Sequence, residues 1–515
     1  MSAFLAIVRL TCRAAFRSHF FRGTVLLFLG AVLLMPLIVK SDGTAISMIK
    51  ITLEYSLTLA TILLSISAVW LGASEITADV EDRRLQMVVV KPVSRPVVYL
   101  AKFTGIIAIH TLLLLIAGAI IYGLTFYRIA TTDFAPGERE QLDTEILTAR
   151  RIYKPDSNQA TIDERVEERL KQGLETARKQ GKDMPDEWKS VRTKTGEFDE
   201  EEIRNRLRES IRLEEAAVHP GERKVWTFSN LPEDLNGPIR IRYKAFFEAS
   251  RDEQEKTHGV WGFQYHFVKP DSQETIPLPV YFAPNNLELE LLTMQTTEFE
   301  IEPTGEAPKQ YVCVRGFYVR NSGKDLDILY APNPKQDTLM VKDGKAELYY
   351  LSLDKKGRTV YFTGEGPELL VPVTGFFDNY CRTIFVQLLL IIAFAAMGLA
   401  FSACFSLATG IFLTLSYLIW GIATRFVLDI FSNTAVAPHT FLEKINFYAG
   451  RYIDNILFDP SAFAAQEKLS SGELVEFSYI AVVFFIQFLI KILPIFLLGL
   501  WIYTKRELAL AGKEH

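Results

Sequence analysis

Reactive and metal-binding side chains are scarce in this chain of 515 residues, which has four cysteines, seven histidines and eight methionines. Four cysteines exclude a disulfide scaffold. Cys12, Cys381 and Cys404 fall in or beside apolar runs and Cys313 stands alone in a polar block, so that block is expected to fold without an internal bridge. The sequence has no Gly-x-x-x-x-Gly-Lys-Ser/Thr, His-Glu-x-x-His, Cys-x-x-Cys or Gly-x-Ser-x-Gly. Without a phosphate-cradling loop the chain is not expected to hydrolyse ATP in the usual way, and no catalytic residue, metal ligand or cofactor is assigned to it. His258 and His266 are close on a strand-like pattern, with His219 further off, but histidines so placed are more often surface or hydrogen-bonded residues than ligands. Basic residues are absent between Lys269 and Lys309, where eight acidic ones occur. Solvated outer sides of strands account for this more cheaply than an acidic binding face. A formal net charge of −5 lacks the basic excess of a nucleic-acid binder.

The charge that is present is segregated. Residues 128–376 hold 36 of the 56 Lys+Arg and 45 of the 61 Asp+Glu, a net of −9, and the rest of the chain carries +4. A helix rising about 1.5 Å per residue needs roughly 20 apolar residues to cross a hydrocarbon core. Arg22–Val39, Ser56–Ser74, Phe103–Tyr127 and Phe477–Tyr503 meet that requirement, and Thr383–Thr424 is 42 residues without a charge. At about 63 Å if helical, that last stretch suits two spans joined by a tight turn, placed near Ser402–Ser406. The expectation is an α-helical membrane protein with six transmembrane helices. The first run is followed by Lys40-Ser41-Asp42-Gly43, which does not read as a signal-peptide cleavage pattern.

Lysine and arginine in short loops stay on the cytoplasmic side. Arg9, Arg13, Arg17 and Arg22 flank the first span, Arg83, Arg84, Lys91, Arg95 and Lys102 the second loop, and Lys505, Arg506 and Lys513 the last span. With six spans all three groups share one side, which places both termini in the cytoplasm and residues 128–376 and 432–476 outside it, in a multi-pass protein of the cell (inner) membrane. Arg9, Arg13 and Arg17 form one stripe opposite Phe4, Ile7, Thr11, Ala14 and Ala15, the pattern of a helix lying in the lipid interface.

The outer block is expected to be an α+β insertion in two parts. Residues 128–222 are charge-dense, as in Asp163-Glu164-Arg165-Val166-Glu167-Glu168-Arg169-Leu170, and predict a charged helical arm. Over 223–376 the period changes to two, in Ile239-Arg240-Ile241-Arg242-Tyr243, Leu287–Leu291 and Glu298–Glu302. Asn236-Gly237-Pro238, Pro303-Thr304-Gly305 and Asp343-Gly344 separate the runs, and ten to twelve short strands of this kind suggest a β-sandwich. Arm or sandwich offers a surface for an extracytoplasmic partner, although a solvated insertion explains the arm as well.

Within the apolar runs His110, Gln387, Gln487 and Lys491 are polar, and Gln487 and Lys491 share a helix face. Ionisable groups at that depth mark function unless they snorkel. The most varied loop is 75–102, with Asp79, Glu81, Asp82, Arg83 and Arg84, then Lys91-Pro92-Val93-Ser94-Arg95, then Lys102. Here the sequence resembles the permease subunits of type 2 ABC exporters, especially the branch that includes the permease of the nitrous oxide reductase maturation exporter. The resemblance covers residues 1–127, as interfacial helix, spans one to three and this loop, and 377–515, as spans four to six. It implies that 75–102 is a coupling helix inserted into a separate ATPase chain, with Asp79, Glu81, Asp82, Arg83, Arg84, Lys91, Pro92, Ser94 and Arg95 as its contacts. Many relatives have Gly-Thr where this chain has Arg83-Arg84.

The implied function is the membrane subunit of an exporter, not itself an enzyme, working as a homodimer in the bilayer with ATP and Mg on the partner ATPase. The alternative is a non-transporting anchor that displays the β-sandwich as a receptor or assembly scaffold. The few Met and Cys give copper handling no support. The topology predicts that a cysteine introduced near Gln159 is labelled from outside intact cells and one near Gln86 is not; labelling at Gln86 would reverse the orientation.

Overall fold

A computed structural model describes residues 3–38, 44–81, 93–135, 137–180, 200–232, 239–247, 257–268, 275–284, 288–289, 297–301, 311–313, 338–339, 341–353, 357–362, 364, 366–433 and 441–505. The described chain is mostly helical, with small antiparallel sheets. It divides into two compact units, one of residues 1–149 with 373–515 and one of 150–372.

The first unit is a helix bundle: α1 (Ala3–Arg17), α2 (His19–Ile38), α3 (Ala45–Glu81), α4 (Arg95–Thr131), α5 (Glu138–Glu145) and, beyond the second unit, α8 (Phe376–Cys404), α9 (Leu407–Asn433), α10 (Phe441–Ile456), α11 (Ala465–Ser470) and α12 (Phe477–Lys505). Five of these, α3, α4, α8, α9 and α12, are long and apolar enough to cross a membrane, and six candidates result if the bent pair of α1 and α2 is one span. That pair bends by 74° at Ser18, whose hydroxyl accepts from the Phe21 N–H and starts α2. On α1, Arg9, Arg13 and Arg17 are exposed while Thr11 and Ala15 are buried, so its two faces divide as the stripe predicts. The charge-free stretch turns at Phe405 and Ser406, between α8 and α9.

Small residues set the spacing of the bundle. A Cβ at Gly398 of α8 would lie 2.6 Å from the Val69 carbonyl oxygen of α3, and one at Gly72 would lie 2.9 Å from that of Ala395. On another side of α8, a Cβ at Gly499 of α12 would lie 2.6 Å from Ala400 Cα. Such backbone approaches are how apolar helices associate where lipid competes equally for side chains.

The sequence reads 432–476 as a loop between the last two spans, and its described part packs into the bundle. The chain after α10 buries Phe458, Phe463, Leu469 and Val475 in the same core as α3 and α8. Phe458 meets Phe394 of α8 at 6.3 Å, its N–H donates to the Tyr417 hydroxyl of α9, and the Asp459 N–H donates to Gln487 of α12. All three partners lie well inside their helices, so this segment re-enters the bundle and then returns through a 3₁₀ turn, Pro460–Phe463, and α11. A connecting loop of this length escapes the usual polar composition because it must bury four large apolar side chains.

The second unit holds α6 (Gln159–Gln180) and α7 (Glu200–Ala216), with fourteen short strands among the described residues. They are β1 (Thr148–Tyr153), β2 (Ala217–Val218), β3 (Arg223–Phe228), β4 (Ile239–Tyr243), β5 (Ala245–Phe247), β6 (Thr257–Val268), β7 (Thr275–Pro284), β8 (Glu288–Leu289), β9 (Thr297–Ile301), β10 (Tyr311–Cys313), β11 (Thr338–Leu339), β12 (Ala346–Ser352), β13 (Val360–Phe362) and β14 (Glu368–Gly375). Three sheets result, in the orders β1-β14-β4-β9, β10-β7-β6-β12-β3 and β2-β13-β5, with β8 and β11 also pairing β6. Their inner faces share one core, in which Trp261 packs 4.9 Å from Tyr350 and 5.0 Å from Tyr243. Asp343 and Gly344, both at positive φ, make the hairpin turn that the dipeptide predicts. The turns predicted at 236–238 and 303–305 lie outside the described residues. Cross-strand register sets Arg242 opposite both Glu368 and Glu298, and Arg240 opposite Glu300, so two of the eight acidic residues face basic strand positions.

Helices α6 and α7 form an antiparallel hairpin. Ile162, Val166, Leu170 and Leu174 recur every four residues on α6 and meet Ile203, Leu207 and Ile211 of α7. Around this seam Arg208 bonds Asp163 at 3.0 Å, Arg204 bonds Glu167 at 2.7 Å, Arg169 bonds Glu214 at 2.6 Å, and Arg165 reaches Glu215. The charges thus pair between helices more than along them. Hydrogen bonds from Arg208 and Arg169 hold the Asp163 and Glu214 carboxyls below the ordinary carboxylate range. A depressed carboxylate stabilises the fold above its unfolded pKa and loses that contribution as pH falls through the folded one. Spin labels at Lys171 and Glu209 of the full chain should therefore give a narrow distance distribution at pH 7 that broadens below about pH 4; an unchanged distribution would leave the apolar seam as the whole of the hairpin's support.

Candidate functional site

The two ends of the loop 75–102 are fixed at one end of the helix bundle. Lys102, two turns beyond the start of α4, is buried and donates to both the Glu75 carboxylate, at 3.0 Å, and the Glu75 carbonyl, at 2.8 Å. Two charges removed from water hold together only when paired and further hydrogen-bonded, and this pair meets both conditions. Arg95, the first residue of α4, donates from Nη1 to the Thr504 carbonyl, 3.1 Å away in the last turn of α12. A cation at a helix C-terminus satisfies an orphan carbonyl and complements the dipole. Ser94 is the N-cap residue of α4, with no side-chain cap bond, and Pro96 occupies its first turn, where a missing N–H costs nothing.

The clamp extends to two more contacts. Tyr99 is fully buried between Phe496 and Tyr503 of α12, with ring centres 5.3 Å from each. Gly105 admits α1: a Cβ there would lie 2.9 Å from Thr11 Cβ, and the Cys12 thiol donates to the Gly105 carbonyl at 3.6 Å. The base of the loop therefore joins α1, α3, α4 and α12. Asp79 and Glu81 belong to the last turn of α3, while Asp82, Arg83, Arg84, Lys91 and Pro92 lie outside the described residues. The sequence marks Glu75 only as the start of the loop, and it gives Gly105 and Thr504 no part in it. Only Glu75 left a signal, as an acid ending one apolar run opposite a lysine opening the next.

The four polar candidates inside the bundle differ from one another. His110 is fully buried; Nδ1 lies 2.8 Å from the Ile106 carbonyl, which only accepts, so Nδ1 carries a proton and Nε2 is left for the Ser67 hydroxyl at 3.2 Å. It ties α4 to α3. Gln487 and Lys491 lie in a π-helical stretch of α12, Val483–Ile492, and both hold the re-entrant segment: Gln487 Oε1 accepts from the Asp459 N–H at 3.0 Å and Lys491 Nζ donates to the Asp454 carbonyl at 2.8 Å. Arg425 of α9 approaches the Asp454 carboxylate at 3.4 Å, completing a polar cluster around the re-entrant turn. Gln387 of α8 is fully buried, and both its amide atoms lack a hydrogen-bond partner among the described residues. No group of three or more His, Cys, Asp or Glu suited to a metal ion occurs among the described residues.

Comparison of the chain with protein-family models, with curated proteins and with solved structures gives no match in any of the three. For the clamp, Lys102→Met or Glu75→Gln alone should destabilise the chain by about 3–5 kcal/mol, since each strands a buried charge, while the double substitution should recover part of the loss. Additive losses in thermal unfolding of the detergent-solubilised chain would mean that the two do not act as a pair.

Proposed function

We propose that this chain is the membrane subunit of an ATP-driven exporter that takes work from a separate ATPase chain through the loop 75–102. In this reading six spans cross the inner membrane with both termini in the cytoplasm, two copies form the pathway, and residues 128–376 stand outside with their strands arranged as a β-sandwich. The observation that supports it most is the clamped base of the loop. A chain without a phosphate-binding loop must receive mechanical work by contact, and a lever transmits it only if its fixed end does not bend. Lys102 with Glu75 ties the loop ends of α3 and α4 together, and Arg95 ties the start of α4 to the end of α12. Displacement of the intervening segment would pass to three long apolar helices at once. Arg83 and Arg84 would meet carboxylates of the ATPase, with Pro92 stiffening the turn.

A second reading, a non-transporting anchor that displays its outer domain as a scaffold, is favoured by the separate core of the 150–372 unit. Gentle recovery of the chain from native membranes separates the two, since only the exporter subunit should carry an ATPase chain with it. Arg83→Glu combined with Arg84→Glu leaves Glu75, Arg95 and Lys102 in place. It should release the ATPase chain or uncouple hydrolysis from transport, with the protein still inserted. A variant that retains both partner and transport would reduce the loop to a topological anchor.

A further inference from the structure

Within the second unit a cavity of about 450 Å³ opens where the first turn of α6 and the last turn of α7 meet β3 and β13. Its volume falls in the range of roughly 300–1,000 Å³ that small-molecule sites occupy. Trp226 and Phe362 form its apolar wall, with Ile162 and Ala216 beside them. Gly366, at a φ of +120°, leaves no space for a side chain, because a Cβ would come within 2.5 Å of the Trp226 indole nitrogen. The strand end after β13 can therefore run directly over the indole edge and close that rim.

Four ionisable side chains line the cavity, Asp156, Arg212, Glu215 and Lys224, and its two cations are held less directly than Glu215. Glu215 is paired with Arg165, whereas Asp156 accepts only from the neutral Ser229 hydroxyl, at 2.7 Å, and keeps its charge. Neither cation forms an ion pair among the described residues. Arg212 Nη2 donates to the neutral Gln159 amide at 2.9 Å, and the Lys224 ammonium lies 5.5 Å from the centre of the Trp226 ring. Burial pushes the Lys224 ammonium below the ordinary lysine range, against the opposing pull of Glu215 and Glu222. A half-buried cation of this kind gains from an anion that displaces water beside it. The start of α6 at the wall adds the partial positive charge of a helix N-terminus.

We propose that this cavity binds a small carboxylate-bearing ligand with an apolar or aromatic body, the carboxylate lying between Lys224 and Arg212 and the body against Trp226 and Phe362. A monoanion suits it better than a phosphate dianion, because Asp156 and Glu215 stand close enough to repel a second charge. The site belongs wholly to the 150–372 unit and does not depend on whether the chain is an exporter.

Calorimetric titration of the detergent-solubilised full chain tests this with N-acetylphenylalanine, its uncharged amide and phenyl phosphate as probes. The acid should bind saturably, the amide and the phosphate at least tenfold more weakly. Lys224→Met and Arg212→Gln should each weaken the acid tenfold or more, whereas Lys224→Arg should keep binding within a few fold, as the charge is retained. Absence of saturable acid binding at millimolar concentration, equal binding of the amide, tighter binding of the phosphate, or unchanged binding in both neutral variants would each overturn the proposal. Because Arg212 lies on an exposed helix turn outside the aromatic core, its variant reads the site even if Lys224→Met does not fold.

Discussion

The helical unit depends on the close approach of α3 and α8, which only the absence of side chains at Gly72 and Gly398 permits. Backbones that approach this closely gain van der Waals contact along the whole line of the crossing. Ala68 and Ala73 on α3, and Ala395, Ala396 and Ala403 on α8, extend the same thin interface and are buried. Gly499 repeats the device between α12 and α8. The result is a central helix, α8, in backbone contact with both α3 and α12. The loop-bearing ends of α3 and α4 are positioned from that centre outwards.

Polar groups inside such a bundle act as fasteners. The His110 ring joins α4 to Ser67 of α3, and Gln487 with Lys491 holds the backbone of the re-entrant segment at Asp459 and Asp454. Backbone groups in the last turn of a helix or beyond it, inside an apolar bundle, need partners from side chains, because packed hydrocarbon cannot supply them. The Tyr417 hydroxyl serves two of them at once, donating to the Ile456 carbonyl and accepting from the Phe458 N–H. These residues are polar for the sake of the segment they secure. Gln387 differs, being buried without such a role, and among the four it keeps the strongest claim to a function beyond packing.

In the second unit the same charge that makes the sequence look like a solvated insertion is used in two ways. Along α6 and α7 it frames an apolar seam, and each exposed pair contributes modestly because solvent screens it. At the base of the hairpin Arg212, together with Lys224 of β3, lines a cavity with an aromatic wall without a carboxylate at ion-pair distance among the described residues. Stability and binding thus separate along one pair of helices, according to whether each cation finds a carboxylate.

Runs of about 20 apolar residues made α3, α4, α8, α9 and α12 legible from the sequence, since length against hydrocarbon thickness is a property of the chain alone. The four-residue arginine stripe of α1, the alternation in β4 and the Asp343-Gly344 turn were legible for a similar reason, each being a local pattern with a fixed geometric period. The seam of α6 and α7 was partly hidden, because three or four apolar residues spaced by four look too few for a core until a second helix supplies the facing row. Contacts between residues far apart in sequence came only with the packed fold: Glu75 with Lys102, Arg95 with Thr504, and Phe458 with Phe394. No sequence period encodes such pairings, because they arise from which helix faces and strand edges come together after each element has formed.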